Sequence, residues 1–69
     1  MDPVKKSFCF TTRADLAACV SYIVENIPFS HLETWGDGVP QLTFEVIPGD
    51  AANVAFFLND NGIRYTAIQ

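Results

Sequence analysis

The sequence predicts one two-layer α+β domain built in the order β-α-β-β-α-β. Three observations carry that expectation. Four short runs alternate apolar with polar residues, two stretches between them carry apolar residues at helical spacing, and turn-forming residues separate the pieces. A chain of 69 residues, 49% of them hydrophobic and six of them Phe, has room for a single core, so residues 1–69 form one domain.

Each element has its own warrant. Residues 6–11 alternate, with Phe8 and Phe10 set against Ser7, Cys9 and Thr11. Thr12 follows as a helix N-cap, with Asp15 three residues on, near the positive end of the helix. In that helix Leu16, Val20, Ile23 and Ile27 recur at spacings of four, three and four, which makes one buried stripe. Asp15, Ala18, Tyr22 and Glu25 form the opposite stripe, and Pro28 ends the helix.

Residues 29–35 alternate again, Gly36-Asp37-Gly38 supplies a turn, and residues 41–47 form a third strand. Leu42, Phe44 and Val46 must face the core, and Ser30, Leu32 and Thr34 are the matching inner set of the second strand. Paired residues share a face, so the hairpin loop must be odd in length. A loop of Asp37, Gly38 and Val39 then pairs Trp35 with Gln41, Glu33 with Thr43 and His31 with Glu45. Asp50 is expected to cap a second helix over residues 50–60, with Ala51, Val54 and Leu58 inward, Phe57 on the flank and Phe56 outward. Asn61-Gly62 gives a left-handed stop, and residues 63–68 form the last strand with Ile63, Tyr65 and Ala67 inward. Four strands and two helices in this order specify the ferredoxin-like split βαβ fold, with both helices on one face of an antiparallel sheet. The other face is left open, carrying Cys9, His31, Glu33, Trp35, Thr43, Glu45, Arg64 and Thr66.

Charge narrows the function. The net charge is -4, and Lys5, Lys6, Arg13 and Arg64 are the whole basic complement. The fifty residues from 14 to 63 hold seven carboxylates and no Lys or Arg, where an average chain would place roughly six basic residues. Nucleic acid and anionic lipid both require clustered cations, so neither is an expected ligand. A basic protein surface is the expected partner. Residues 1–8 lead into no apolar signal-peptide region, and no apolar run approaches the ~20 residues of a membrane span. Cys9 and Cys19 have no disulfide spacing and are expected as free, buried thiols in a reducing cytoplasm.

Four constellations bear on chemistry. His31, Glu33 and Glu45, with Cys9 on a neighbouring strand, are the residue types of a metal site, but no dense ligand motif accompanies them and no metal or cofactor is expected. One His with two carboxylates is also the minimum for acid–base work. Without a nucleophile elbow, phosphate loop or dinucleotide fingerprint, the expectation is a protein that is not an enzyme. The third constellation is the acidic surface: Asp15 and Glu25 on the outer helix stripe, Glu33, Asp37 and Glu45 on or beside the hairpin, and Asp50 and Asp60 at the ends of the second helix. Such a field steers towards Lys- and Arg-rich grooves, including grooves that hold nucleic acid. The fourth is exposed aromatic surface, of which Trp35 at the hairpin end is the better interface anchor.

Two resemblances add to this reading. The order of elements resembles the ACT family of small-molecule-sensing regulatory domains, with Arg13-Ala14-Asp15-Leu16 in the place of that family's first strand-to-helix turn. Asn26-Ile27-Pro28-Phe29-Ser30-His31-Leu32-Glu33 looks like its helix-to-second-strand segment. The Gly and preceding Pro of that family's ligand turn have no counterpart here. The short acidic chain, its long cation-free run and its lack of catalytic motifs resemble the phage-encoded anti-CRISPR proteins. That resemblance implies a DNA mimic that binds a CRISPR effector subunit in the bacterial host cytoplasm and blocks DNA entry. Asp15, Glu25, Glu33, Asp37 and Glu45 would present the carboxylates, with Trp35 as anchor. The expected function is therefore an acidic inhibitor of a nucleic-acid-handling complex, with an ACT-like sensor as the alternative. A monomer or weak homodimer is expected, the last strand being an exposed edge that Arg64 blunts.

Overall fold

Alternation, capping and turn chemistry place six elements in the computed structural model, which describes residues 2–36 and 38–68. They are β1 (Val4–Phe10), α1 (Arg13–Asn26), β2 (His31–Trp35), β3 (Gln41–Val46), α2 (Pro48–Asp60) and β4 (Tyr65–Ala67). The strands form one antiparallel sheet in the order β2-β3-β1-β4. Both helices pack on β1 and on each other, so the domain is a ferredoxin-like α+β sandwich.

The hairpin register is as the parity argument requires: His31 pairs with Glu45, Glu33 with Thr43 and Trp35 with Gln41. Part of the expected loop, Asp37, lies outside the described residues. β1 runs two residues further towards the N-terminus than alternation suggested, because β3 offers partners out to Val46, opposite Val4. β2 is shorter at its start: Phe29 and Ser30 lie outside the strand, and the Ser30 N–H donates to the carbonyl of Glu45 at 3.0 Å.

Thr12 caps α1 as expected, its Oγ1 accepting from the Asp15 N–H at 3.1 Å. The buried line of α1 is shifted from the expected one. Cys19, Ile23 and Ile27 are buried, while Leu16 and Val20 are half-buried. Tyr22, assigned to the outer stripe, instead stacks on Phe57 of α2 with ring centroids 4.2 Å apart. The reason is the helix pair: α2 packs against the Tyr22 flank of α1.

Asp50 is not the cap of α2. Ile47 holds that position, Pro48 occupies the first turn where its missing N–H costs nothing, and Asp50 follows in the same turn. At the other end the Ile63 N–H reaches the Leu58 carbonyl (2.9 Å) and the Gly62 N–H reaches that of Asn59 (3.2 Å). This is the Schellman closure, with Gly62 at φ 67°. Ile63 is thereby consumed by the stop, which is why β4 begins only at Tyr65; Ala67 faces the helix side opposite Phe8, as expected, but is exposed there. Gly62→Ala is expected to cost about 1–2 kcal/mol from the left-handed backbone alone, since no atom lies within 4 Å of an added Cβ. A urea melt reads the loss directly.

The core is Phe8, Phe10, Cys19, Ile23, Ile27, Leu42, Phe44, Val46, Val54 and Leu58. Phe8 sits edge-on to Phe44 at 5.3 Å and tilted against Tyr65 at 4.6 Å, which ties β1 to both of its neighbours. Among the described residues no helix is long and apolar enough to cross a membrane.

Candidate functional site

Strand pleating sends His31, Glu33 and Trp35 of β2 to the sheet face away from the helices, with Gln41, Thr43 and Glu45 of β3 beside them. β1 adds Lys5, Ser7 and Cys9, and β4 adds Thr66. The face is therefore laid out in rows. One is His31, Glu45, Lys5; the next is Glu33, Thr43, Ser7; the third is Trp35, Gln41, Cys9, Thr66.

Its middle is closed, not open. Thr43 and Ser7, expected or implied as surface, are buried, with their hydroxyl oxygens 2.8 Å apart in a hydrogen bond. The hydrogen bond gives each hydroxyl a partner where water is excluded. The rim is polar. His31 Nε2 lies 2.9 Å from Glu33 Oε1, an exposed contact that becomes an ion pair when the ring is protonated. The Ser30 hydroxyl donates to Glu45 Oε1 at 2.8 Å and holds that carboxylate over the sheet. Trp35 is 43% exposed at the hairpin end.

The six expected partner-binding residues do not share one surface. Glu33, Trp35 and Glu45 stand together on the sheet face. Asp15 and Glu25 lie ten residues apart on α1, in the opposite layer, or about 15 Å along the helix axis. Asp37 lies outside the described residues. The cation-free run of the sequence is also not a cation-free region in space. Lys5 stands directly across from Glu45, because the N-terminal strand is central in this topology and carries its lysines into mid-sheet. Arg13 likewise returns to the hairpin, its Nη2 donating to the Gly36 carbonyl at 2.6 Å. Extending the alternation of the first strand back through Ser7 to Lys5 is the signal that would have placed both residues on this face.

Among the described residues no three His, Cys, Asp or Glu side chains are grouped so as to hold a metal ion. Cys9 is half-buried and Cys19 fully buried, both as free thiols. On the helix side, an apolar recess of about 400 Å³ opens between α2 and the β1–β4 edge, lined by Val4, Lys6, Phe8, Ala51, Ala55 and Tyr65 among others.

No family model, curated protein or solved structure matches this chain.

Proposed function

We propose that the domain is a non-enzymatic acidic inhibitor of a nucleic-acid-handling complex. In this reading it acts in the manner of an anti-CRISPR protein, seating its sheet face in a Lys- and Arg-rich groove of a CRISPR effector. The observation that supports the reading is the joint placement of Glu33, Glu45 and Trp35 on one exposed sheet face of a chain with net charge -4. Two carboxylates beside an aromatic anchor provide steering and a desolvated contact together. Asp15 and Glu25 contribute only to the long-range field, since they belong to the helix layer.

The test is a DNA-binding assay on purified CRISPR effector–guide complexes with this protein as competitor. Competition is expected, weakening steeply with added salt. Joint reversal, Glu33→Lys with Glu45→Lys, is expected to raise the concentration needed by at least about tenfold. Glu25→Lys, on the far layer, is expected to stay within about twofold. Competition indifferent to salt and to the double reversal would sink the mimicry reading, as would its absence against every effector class.

The ACT-like reading has one observation of its own, the apolar recess with Lys6 at its lining. A melting temperature that rises with free amino-acid concentration would carry it, and a flat response would remove it.

A further inference from the structure

Among the described residues nothing pairs with the outer edge of β2, and its sequence is complementary to itself. The ladder geometry fixes which backbone groups point outward. The Phe10 N–H donates to the Pro40 carbonyl and the Ile68 N–H to the Ser7 carbonyl, so even residues of β1 bond to β3 and odd ones to β4. Carried through the registers, odd residues of β3 and β2 bond each other. The N–H and C=O groups of Leu32 and Thr34 therefore point away from the sheet, on its end strand. The next outward carbonyl, that of Gly36, is the one Arg13 takes.

Beside this edge runs a groove of about 390 Å³ lined by Arg13, Leu16, Ala17, Val20, Ser21 and Thr34. Val24 continues the line one turn further along α1 and is 55% exposed. α2 does not cover this flank of α1, because it packs on the opposite one through Tyr22.

We propose that the occupant is a second copy of this chain, paired antiparallel through β2 about a two-fold axis at Leu32. That axis sets Leu32 against its own copy and His31 against Glu33 of the second copy. The His31 and Glu33 side chains are 43% and 47% exposed. Opposite charges facing each other across paired strands favour the register. Competing axes lack this match. Centring on Glu33 opposes Glu33 to itself, and centring on Thr34 sets Glu33 against Trp35. The Leu32 axis also turns the two α1 stripes towards each other, covering Val20 and Val24. The product is an eight-stranded sheet with an isologous interface, formed at the second strand instead of the last.

This inference concerns the sheet edge, and its readout is mass rather than inhibition, so it fails or stands apart from the proposed function. Sedimentation equilibrium at about 0.15 M salt, where charge repulsion is screened beyond about 8 Å, is expected to show a mass rising from 7.6 kDa towards twice that value with concentration. Thr34→Pro removes an outward donor at an exposed edge position and is expected to weaken association at least about tenfold. A second experiment reads the register and does not depend on how that variant folds. In a Cys9→Ser background, His31→Cys and Glu33→Cys chains are mixed under mild oxidation. The facing pair has Cα atoms about 4.5 Å apart, within disulfide reach. The mixed disulfide is expected to form at least about tenfold faster than either homodisulfide. A mass of 7.6 kDa up to about 1 mM, or a dominant Glu33→Cys homodisulfide, overturns the proposal.

Discussion

Phe44→Ala is expected to remove about 3–5 kcal/mol of stability and to leave the domain near the midpoint of unfolding at 25 °C. Phe44 is fully buried, lies on the central strand β3 between Leu32 and Lys6, and meets Phe8 edge-on at 5.3 Å. The cavity opens between the two middle strands, where the sheet cannot collapse without breaking its ladder. A domain of 69 residues has a total stability of about 3–10 kcal/mol, so one such loss is decisive. Urea denaturation followed by near-ultraviolet circular dichroism measures it. Phe56→Ala, at a position 63% exposed, is the control and is expected to change stability by no more than about 0.5 kcal/mol. A Phe44→Ala loss below about 1 kcal/mol would mean that the core is not centred where the packing puts it.

Cys19 is expected to resist alkylation until the whole domain unfolds, while Cys9 reacts in the folded protein. Cys19 is fully buried on α1, and burial pushes its thiol from 9.0 up to about 12. Its thiolate fraction near neutral pH is thus about a thousandfold below that of an ordinary thiol, before access is even considered. Mass spectrometry after a timed iodoacetamide pulse should show one adduct early and a second only at the unfolding rate. The same shift couples stability to pH. An unfolded chain releases the Cys19 proton above 9.0, whereas the folded chain holds it to about 12. The stabilising preference is therefore complete below pH 9 and is lost as the pH rises, by up to about 1.4 kcal/mol per pH unit. Cys19→Ala should flatten this part of the stability–pH curve relative to the parent chain. Equal slopes for the two proteins would contradict the assignment.

The fold was legible because several local signals agreed. Thr12 as cap, Pro28 as stop, Asn61-Gly62 as left-handed terminus and the odd hairpin loop all act through backbone chemistry within a few residues. Most of what failed depended on tertiary neighbours. Tyr22 looked like a surface residue because its helix was read alone, and a second helix half-buries it. Asp50 looked like a cap because its side chain can serve as one, but Pro48 fits the first turn better and starts the helix earlier. The acidic site was half legible. Glu33, Trp35 and Glu45 share a face because register is a local property of a hairpin. Asp15 and Glu25 fell in the other layer, and Lys5 came to stand by Glu45, because the central place of β1 is a property of the whole topology.

That central place also sets how the chain must fold. β1 finds its main partner only across a wide span of chain, from Val4 to Val46, and its other partner later still, at Tyr65. The β2–β3 hairpin, by contrast, closes over a short loop. Loop-closure entropy therefore precedes most of the reward from burying Phe8 and Phe10, and rates governed by distant pairing belong to the slower, millisecond-to-second class. Until β1 inserts, the β3 edge that will receive it is exposed with Leu42, Phe44 and Val46 uncovered. In this small domain the vulnerable moment for aggregation is the wait for its own first strand.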